Sequence, residues 1–400
     1  MAMIDLEFDL SDEERVLRDG VHKFAEEVMR PAGTQLDHLA DPADVIAPDS
    51  ILWEVFGKVR ELGLDSLTDP GSGLTPLQQA RLRCIVGEEF GWGDAGLAIS
   101  LGAGGFPRMM AQMSGKPELI ERFGSPESIG CWAATEPDHG SDLILFGEKM
   151  GEKQYRRPNC VARKDGDSFV VSGQKSAWVS NGTIAHAAAL FCSVDLGDGP
   201  HGIGGFLVPL DAPGVSKGKP LDKIGQRALN QGELFFDDVR IPADYMVMGP
   251  ELWSLGADVV LCQANGGMGS TFVGVGRAAL ELAVQYAKER VQGGVPIFEH
   301  QSVKARLFEM FRKLEAARSL NRRVVLYNTL SGSPQVHYAI ASKVTSTSTA
   351  FEVASGALQI FGGNGLSREY PIEKLLRDAR ASMIEDGCND VLSLFCAERL

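Results

Sequence analysis

The spacing of apolar residues predicts that the first part of the chain is helical. After Ser11, apolar side chains recur at the period of an amphipathic helix. Ser11 and Glu14 have the spacing of a capping box at the start of that helix, and Pro31 predicts its end. Similar patterns predict further helices around 49–63 and 76–92.

The pattern changes near residue 129 and again near residue 251. Between them lie short apolar or alternating runs separated by Gly, Pro, Asn and Asp, which are typical of strands and turns. The charge-rich segment LFGEKMGEKQYRRPN predicts a loop inserted before one strand. Long amphipathic runs then predict packed helices to the end. We therefore expect a multidomain α+β protein with a helical domain at 1–128, a β domain at 129–245 and a helical domain at 246–400.

Charge limits the class of partner. The 400 residues are 44% apolar and 23% charged, as in a globular protein. A net charge of −14 argues against a nucleic acid or an anionic membrane as the main partner. One basic stretch contains Lys217, Lys219, Lys223 and Arg227. We interpret it as a solvated face, with contact to an anionic ligand as the alternative.

Cysteine usage and the N-terminal segment predict the compartment. Seven scattered cysteines without CxxC spacing predict reduced thiols, and neither a disulfide framework nor a metal site. The segment MAMIDLEFDLSDEERVLRDG lacks a basic region and an apolar core, and no apolar run is long enough for a membrane span. We therefore expect a cytoplasmic protein.

Two motifs of the β region could bind a planar polar ligand. TEPDHGSD offers the hydroxyls of Thr135 and Ser141 and the N–H groups of a tight turn, although alone it favours a simple turn between strands. SAWVSNG predicts a strand whose Trp178 could stack on a ring and whose Ser180 could donate to it. Alone, that motif favours a core tryptophan, and its Asn-Gly pair is a hairpin signal.

Three motifs of the C-terminal region are candidates for cofactor binding or catalysis. KERVQGGVPIFEHQ places Arg290 at a helix end, where it could contact a diphosphate or complement the helix dipole. QIFGGNG lacks the strand-before-helix context of a dinucleotide fingerprint and by itself predicts a helix C-cap. IEDG places two acids before a glycine, which is either an acidic helix end or a catalytic stretch.

Together and in this order, the motifs resemble the acyl-CoA dehydrogenase family over essentially the whole chain. The similarity rests on TEPDHGSD, SAWVSNG, GELFFDDVRIPADY, YAKERVQGGVPIFEHQ, QIFGGNGLSREYPIEKLLRDAR and IEDG. It implies a helical N-terminal domain, a β-barrel-like middle domain and a C-terminal four-helix bundle, with FAD between domains and subunits of a tetramer. It also implies an oxidoreductase of lipid metabolism that acts on acyl-CoA or another acyl thioester and passes electrons to an electron-transfer flavoprotein.

The resemblance assigns roles to particular residues of this chain. The flavin ring is expected to contact Trp132, Ala134, Thr135, Trp178, Val179 and Ser180, and Ser141 is expected near the phosphates of FAD. The diphosphate and adenosine, from a neighbouring subunit, are expected to contact Arg290, Gln292, His300, Gln301, Gln359, Gly362 and Gly363, with Cys388 and Asp390 over the adenine end. Ser141 is also a candidate contact to the thioester. Asp94 lies in the region of the acyl pocket and is a second candidate, with a loop residue as the alternative.

The resemblance also identifies the candidate base. In the family, a carboxylate one residue before the glycine of a YEGT-like motif takes the α-proton, while the β-hydrogen leaves as hydride to flavin N5. The matching residue here is Asp386, and Glu385 stands where the family usually has Tyr. Because Asp is one methylene shorter than Glu, the backbone or the substrate must compensate, or the reaction differs.

A second departure concerns the helix that begins the C-terminal domain. The family commonly has an Asp and an Arg three positions apart there, whereas this sequence has Ala264 and Gly267. Smaller side chains suit a bulky, cyclic or branched acyl group. They equally suit a carrier-protein thioester or a base-poor structural subunit of a heterotetramer. A nitroalkane-type oxidase on the same fold, with an Asp base, is a separate alternative.

Overall fold

A computed structural model describes Leu6, Glu7 and residues 9–67, 72–145 and 157–400. Most of the charge-rich segment that we predicted to be an inserted loop therefore lies outside the described residues. Among the helices of the described residues, none is both long and apolar enough to cross a bilayer.

The N-terminal part is helical, as predicted. Its helices are α1 (Asp12–Phe24), α2 (Arg30–His38), α3 (Ile51–Glu61), α4 (Pro76–Gly93), α5 (Ala95–Gly104), α6 (Phe106–Ser114) and α7 (Pro117–Phe123). The capping box of Ser11 and Glu14 is present. The predicted end at Pro31 is wrong, because a π-helical turn at Ala25–Met29 joins α1 to α2, and Pro31 lies in the first turn of α2. A proline is tolerated there because its missing N–H has no required partner.

The described residues of the middle part form one sheet of eight strands. They are β1 (Gly130–Ala133), β2 (Val161–Asp165), β3 (Ser168–Ser180), β4 (Ala187–Asp195), β5 (Pro200–Pro209), β6 (Val215–Lys217), β7 (Gln231–Pro242) and β8 (Met246–Met248). Their order is β6-β7-β3-β2-β4-β5-β8, with β1 paired in parallel to β4. The hairpin predicted from Asn181-Gly182 is wrong because β3 pairs with β2 and β7, not with β4.

Asn181 has a different role from the predicted turn. Its φ is +61°, and its buried amide donates to the main-chain oxygens of Ser100 and Gly130 at 2.8 and 3.3 Å. The residue therefore joins the end of β3 to α5 and β1.

The C-terminal part is a helical bundle, with a small hairpin of β9 (Val291–Gln292) and β10 (Val295–Pro296). Its helices are α8 (Trp253–Glu289), α9 (Gln301–Leu330), α10 (Val336–Phe361), α11 (Ile372–Ala381) and α12 (Asn389–Ala397). Gly362 has a φ of +60° at the end of α10, which confirms the predicted glycine C-cap. The expected fold class, helical at both ends with a sheet domain between them, is confirmed.

Close helix packing joins the N-terminal helices to the bundle. A Cβ on Gly91 of α4 would lie 1.8 Å from the Thr271 oxygen of α8, and one on Gly274 would lie 1.9 Å from the Glu88 oxygen. Only glycine permits these backbones to touch. Arg277 crosses the same interface and bonds Glu88 at 2.7 Å. The two helical domains therefore share a core, which fixes the geometry of the groups between them.

Candidate active site

A tight turn between α11 and α12 presents the two acids of IEDG. Asp386 and Gly387 have φ angles of +51° and +92°. A Cβ on Gly387 would lie 2.8 Å from Ile144 Cδ1 and 2.9 Å from Leu392 Cδ2, so only glycine fits. The left-handed conformation of Asp386 is uncommon for a residue with a side chain, and such conformations cluster at functional sites. We therefore take this turn as the centre of the candidate site.

Lys343 of α10 supports this turn from inside the protein. Its ammonium donates to the main-chain oxygens of Glu385 at 3.0 Å and Gly387 at 2.8 Å, and to Asn389 Oδ1 at 2.8 Å. Lys343 is completely buried. Burial lowers its pKa to about 8, although the charge of Asp386 opposes this effect. One side chain thus fixes the carbonyls on both sides of Asp386.

Glu385 and Asp386 differ in their surroundings. Gln226 Nε2 donates to Glu385 Oε1 at 2.6 Å, and burial, together with the charge of Asp386, raises the pKa of Glu385 to about 7. Burial also raises the pKa of Asp386, while Lys343 acts to lower it. The Asp386 side chain is nevertheless accessible to solvent. An accessible carboxylate that is partly deprived of water is expected on the wall of a cleft, where a ligand can reach it.

A chain of polar contacts connects Glu385 to the N-terminal helices through Gln226. The backbone N–H of Gln226 donates to Asp378. Lys374 Nζ lies 2.6 Å from Asp378 Oδ2 and 2.5 Å from Asp94 Oδ2. Asp94 is buried, and its other oxygen accepts from Leu97 N at 2.8 Å as the N-cap of α5. These contacts favour the structural alternative for Asp94 over contact with a substrate.

The end of β3 presents an accessible aromatic face. Trp178 is 58% exposed, so it is not the core tryptophan that the motif alone favoured, whereas Val179 is buried. Gln231 of β7 donates to the Trp178 oxygen at 3.1 Å and to Ser180 Oγ at 3.4 Å, and it accepts from Lys223 Nζ at 2.8 Å. Burial lowers the pKa of Lys223 to about 8. The charge of Glu385 opposes this effect, so the strand end and the acidic turn interact electrostatically through Lys223.

The interpretation of the basic stretch as a solvated face is wrong for Lys223 and Arg227. Besides the bond to Gln231, Lys223 donates to the Leu229 oxygen at 2.7 Å. Arg227 donates to the main-chain oxygens of Asp37 at 3.1 Å and Leu39 at 2.7 Å. Arg227 thus satisfies oxygen atoms of the N-terminal helical domain, a long-range requirement that charge spacing does not reveal, whereas the partners of Lys223 lie within the middle domain.

The loop after β1 contacts the acidic turn directly. Ser141 Oγ accepts the backbone N–H of Cys388 at 2.9 Å. Trp132, in strand β1 just before the loop, is half-buried and packs between the rings of Phe106 and Phe191, with centroids 4.7 and 4.4 Å away. Ser141 of the middle domain and Cys388 near the C-terminus, both predicted from the sequence as site residues, are therefore brought together.

A buried ion pair fixes the first half of that loop. Lys175 Nζ donates to Glu136 Oε1 at 2.7 Å and to the Ala134 oxygen at 3.0 Å. Ser176 N donates to the Thr135 oxygen at 2.9 Å. Because Glu136 and Lys175 are both buried, this acid of TEPDHGSD anchors the loop to β3.

A second group of predicted residues lies at the β9–β10 hairpin. A cleft of about 200 Å³ is lined in part by Gln292, His300, Arg306 and Gln359. His300 Nε2 lies 3.0 Å from the Gln292 oxygen, and Arg290 donates to Gln292 Oε1 at 3.2 Å. Three residues that the resemblance assigned to the diphosphate and adenosine therefore share one cleft.

The remaining predicted residues lie at helix ends. Gln301 begins α9, Asp390 lies in the first turn of α12, and both are exposed. A Cβ on Gly362 or Gly363 would meet open space. Within the described part of one chain, no hydrogen bond joins the hairpin cleft to the acidic turn.

These surroundings fit FAD. An exposed indole beside the Ser180 hydroxyl suits the flavin ring. A cleft with Arg306 in its wall and Arg290 beside it suits a diphosphate, because guanidinium groups pair with phosphate oxygens.

Sequence motifs missed three residues of this arrangement. Lys343 is a single cation in the small-residue run IASKVTSTSTA, and Gln226 follows a glycine in a loop, with a φ of +51°. Arg306 lies on a helix face with several other charges. Only the lysine gave a usable signal, since a charge at a buried position of a helix requires a partner.

Comparisons with known proteins agree with the geometry. The family models "Acyl-CoA dehydrogenase, middle domain" and "Acyl-CoA dehydrogenase, C-terminal domain" match residues 131–239 and 261–400. The short-chain specific acyl-CoA dehydrogenase of Bos taurus is 32% identical, over 98% of this chain and 91% of its own length. The cyclohexane-1-carbonyl-CoA dehydrogenase of Geobacter metallireducens is 28% identical over 98% of both chains.

A solved structure gives the same result. The butyryl-CoA dehydrogenase of Megasphaera elsdenii superposes with a TM-score of 0.84 at 27% identity, covering 98% of this chain and 99% of that one. The chain therefore belongs to the acyl-CoA dehydrogenase family, whose members are FAD-dependent oxidoreductases acting on CH–CH donors.

Proposed function

We propose that this protein catalyses the α,β-dehydrogenation of an acyl thioester, with Asp386 as the base that removes the α-proton. The observation that carries the proposal is the conformation of Asp386. It is an accessible carboxylate with a positive φ, on a turn fixed by Lys343 and by the packing of Gly387. A lone carboxylate held in this way can receive a proton from a carbon acid whose position is equally fixed.

The surroundings of Asp386 suit proton abstraction. Burial raises its pKa, which makes the carboxylate a stronger base than an aspartate in water, and Lys343 acts in the opposite direction. Among the described residues, the backbone N–H groups of Asp386 and Gly387 have no acceptor. They are available to donate to the thioester oxygen, where negative charge develops as the proton leaves.

FAD, when bound, supplies the acceptor for the β-hydride. The chain's own contribution is to hold the ring and to exclude water. Trp178 offers a face for stacking, Ser180 offers a hydroxyl, and Ser141 ties the loop beside them to the acidic turn. Residues of the hairpin cleft would hold the diphosphate and adenosine of a neighbouring subunit's FAD in a tetramer.

Ala264 and Gly267 leave one face of helix α8 open, and this open face favours a wide acyl group. A Cβ on Gly267 would meet open space, and Ala264 offers only a methyl group one turn earlier. The names of two relatives, short-chain specific acyl-CoA dehydrogenase and cyclohexane-1-carbonyl-CoA dehydrogenase, include short-chain and cyclic acyl groups. We further propose that the thioester is an acyl-CoA and that an electron-transfer flavoprotein accepts the electrons.

Flavin bleaching under anaerobic conditions tests the proposal. The FAD-loaded protein is mixed with linear, branched and cyclic acyl-CoAs, and flavin absorbance is followed. Asp386→Asn is expected to lower the bleaching rate at least about a hundredfold while FAD content is retained. Asp238→Asn is the matched control, because Asp238 is also an exposed aspartate with positive φ, in the middle domain. Equal bleaching by wild type and Asp386→Asn would exclude Asp386 as the base.

A further inference from the structure

The bonding of Lys343 is unusual for a buried lysine. Its side chain is completely buried, and its three acceptors are uncharged: the carbonyls of Glu385 and Gly387 and the amide oxygen of Asn389. A buried ammonium is costly unless it is paired or fully hydrogen-bonded. Here all three of its protons are used, and two of them bind the carbonyl oxygens of Glu385 and Gly387, the residues before and after Asp386.

The geometry points to Lys343 as the positioning residue of Asp386, acting through the main chain and not by contact with the substrate. This inference rests on the proposed function. Because one carbonyl precedes Asp386 and the other follows Gly387 in the turn, fixing both restrains the backbone segment that contains Asp386 and Gly387. The lysine thereby holds a non-glycine residue at a φ of +51°, a conformation that is otherwise unfavourable.

The short side chain makes this support important. A carboxylate on one methylene has little freedom to correct its position, so the backbone must bring it to the α-carbon. A misplacement of about 1 Å can lower a rate on the order of a hundredfold. Ser141 and Ile144 support the other side of the same turn through Cys388 and Gly387. From the bundle, Leu392 packs against Gly387, and Lys343 supplies the hydrogen bonds to the carbonyls of Glu385 and Gly387.

Lys343 also acts electrostatically on the same group. The titratable groups that influence it are Glu385, Asp386 and Cys388. Its positive charge lowers the pKa of Asp386 against the effect of burial. Removing the charge should therefore raise the pKa of Asp386. The acid limb of the pH–rate profile, where the rate falls as Asp386 becomes protonated, should then move to higher pH. Loss of packing alone would not move it.

The test uses Lys343→Met in the FAD-loaded protein. Ser342→Ala is the matched control, because Ser342 is the adjacent residue of α10, is equally buried and bonds Asn321 at 3.0 Å, away from the acidic turn. We expect Lys343→Met to lower the rate constant of bleaching about tenfold to a hundredfold. The acid limb should move to higher pH, and FAD content should stay similar to that of the control. If Lys343→Met does not fold, Lys343→Gln replaces it, because glutamine is neutral and can still donate hydrogen bonds. This variant should show the same movement of the acid limb to higher pH.

The outcomes separate this inference from the proposed function. Suppose that the wild type is active but that Lys343→Met or Lys343→Gln changes neither the bleaching rate nor the acid limb of its pH profile. That result would overturn the role of Lys343. An equal movement of the limb in Ser342→Ala would also overturn it. Wild-type protein that no acyl thioester bleaches would instead overturn the proposed function.

Discussion

The backbone N–H of Cys388 donates to the hydroxyl oxygen of Ser141 at 2.9 Å, which joins two motifs that lie 247 residues apart in sequence. Ser141 ends the loop that we expect beside the flavin, and Cys388 follows the acidic turn. Ile144, just beyond that serine, packs against Gly387. The middle domain therefore helps to determine where the candidate base lies, although the base itself belongs to the C-terminal domain.

Lengthening the candidate base should change the choice of substrate. Asp386→Glu moves the carboxylate about 1.5 Å outward if the backbone stays in place. We expect kcat/KM for straight-chain acyl-CoAs to rise at least about tenfold and that for bulky acyl-CoAs to fall, because in the proposed site a wide acyl group compensates for the shorter reach of Asp386. Steady-state kinetics on a panel of acyl-CoAs measures this, with Asp238→Glu as the control. A uniform change across the whole panel would show that reach does not set specificity.

Filling the open face of α8 should narrow the range of substrates. Gly267→Arg places a long side chain where a Cβ meets open space, so the fold should tolerate it. We expect activity on cyclic acyl-CoAs to fall at least about tenfold while activity on short linear ones is less affected. Gly20→Arg in α1, where a Cβ also meets open space, controls for the added charge. If both substrates are affected equally, this face does not line the acyl site.

Removing a guanidinium beside the hairpin cleft should weaken FAD binding. Arg290 is exposed and bonds Gln292, which lines the cleft with His300. Arg290→Ala is expected to raise the Kd for FAD about tenfold to a hundredfold, since a charge-assisted bond to phosphate is worth about 1.5–3 kcal/mol. Titration of the apoprotein followed by fluorescence measures the Kd. Arg312→Ala, which removes an exposed arginine of α9 paired with Glu309, should leave the Kd unchanged; equal effects of the two variants would contradict the assignment.

Neutralising Glu385 should stabilise the protein at high pH. The pKa of Glu385 is raised from 4.5 to about 7, so between these values the folded state binds more protons than the unfolded state. The free energy of unfolding therefore falls as pH rises through this window, and the cost is complete above about pH 7. Glu385→Gln keeps an acceptor for Gln226 and should raise the free energy of unfolding by up to about 3 kcal/mol at pH 8, with little effect at pH 4.5.

Denaturant unfolding at the two pH values measures this difference. Glu121→Gln, which changes an exposed residue of α7, should show no such dependence on pH. A stabilisation by Glu385→Gln that is the same at both pH values would mean that the carboxylate is not responsible.

The sequence alone determined the features that depend on neighbouring residues. The capping box of Ser11 and Glu14, the end of α8 before Arg290 and the glycine C-cap of α10 are all local, because they need only a few consecutive backbone groups. The order of helical and strand periodicities was sufficient for the fold class. The motifs were sufficient for the family.

Only the tertiary structure decided what each polar side chain does. Asn181 bonds Ser100 and Gly130 instead of forming a hairpin, Asp94 caps α5, and Gln226 reaches Glu385 across 159 residues. Such bonds depend on how the three domains pack, and periodicity within a segment carries no information about its distant neighbours. Lys343 is the clearest case, because a lysine at a buried helix position shows that a partner must exist, but only the folded chain shows that the partners are the carbonyls beside Asp386.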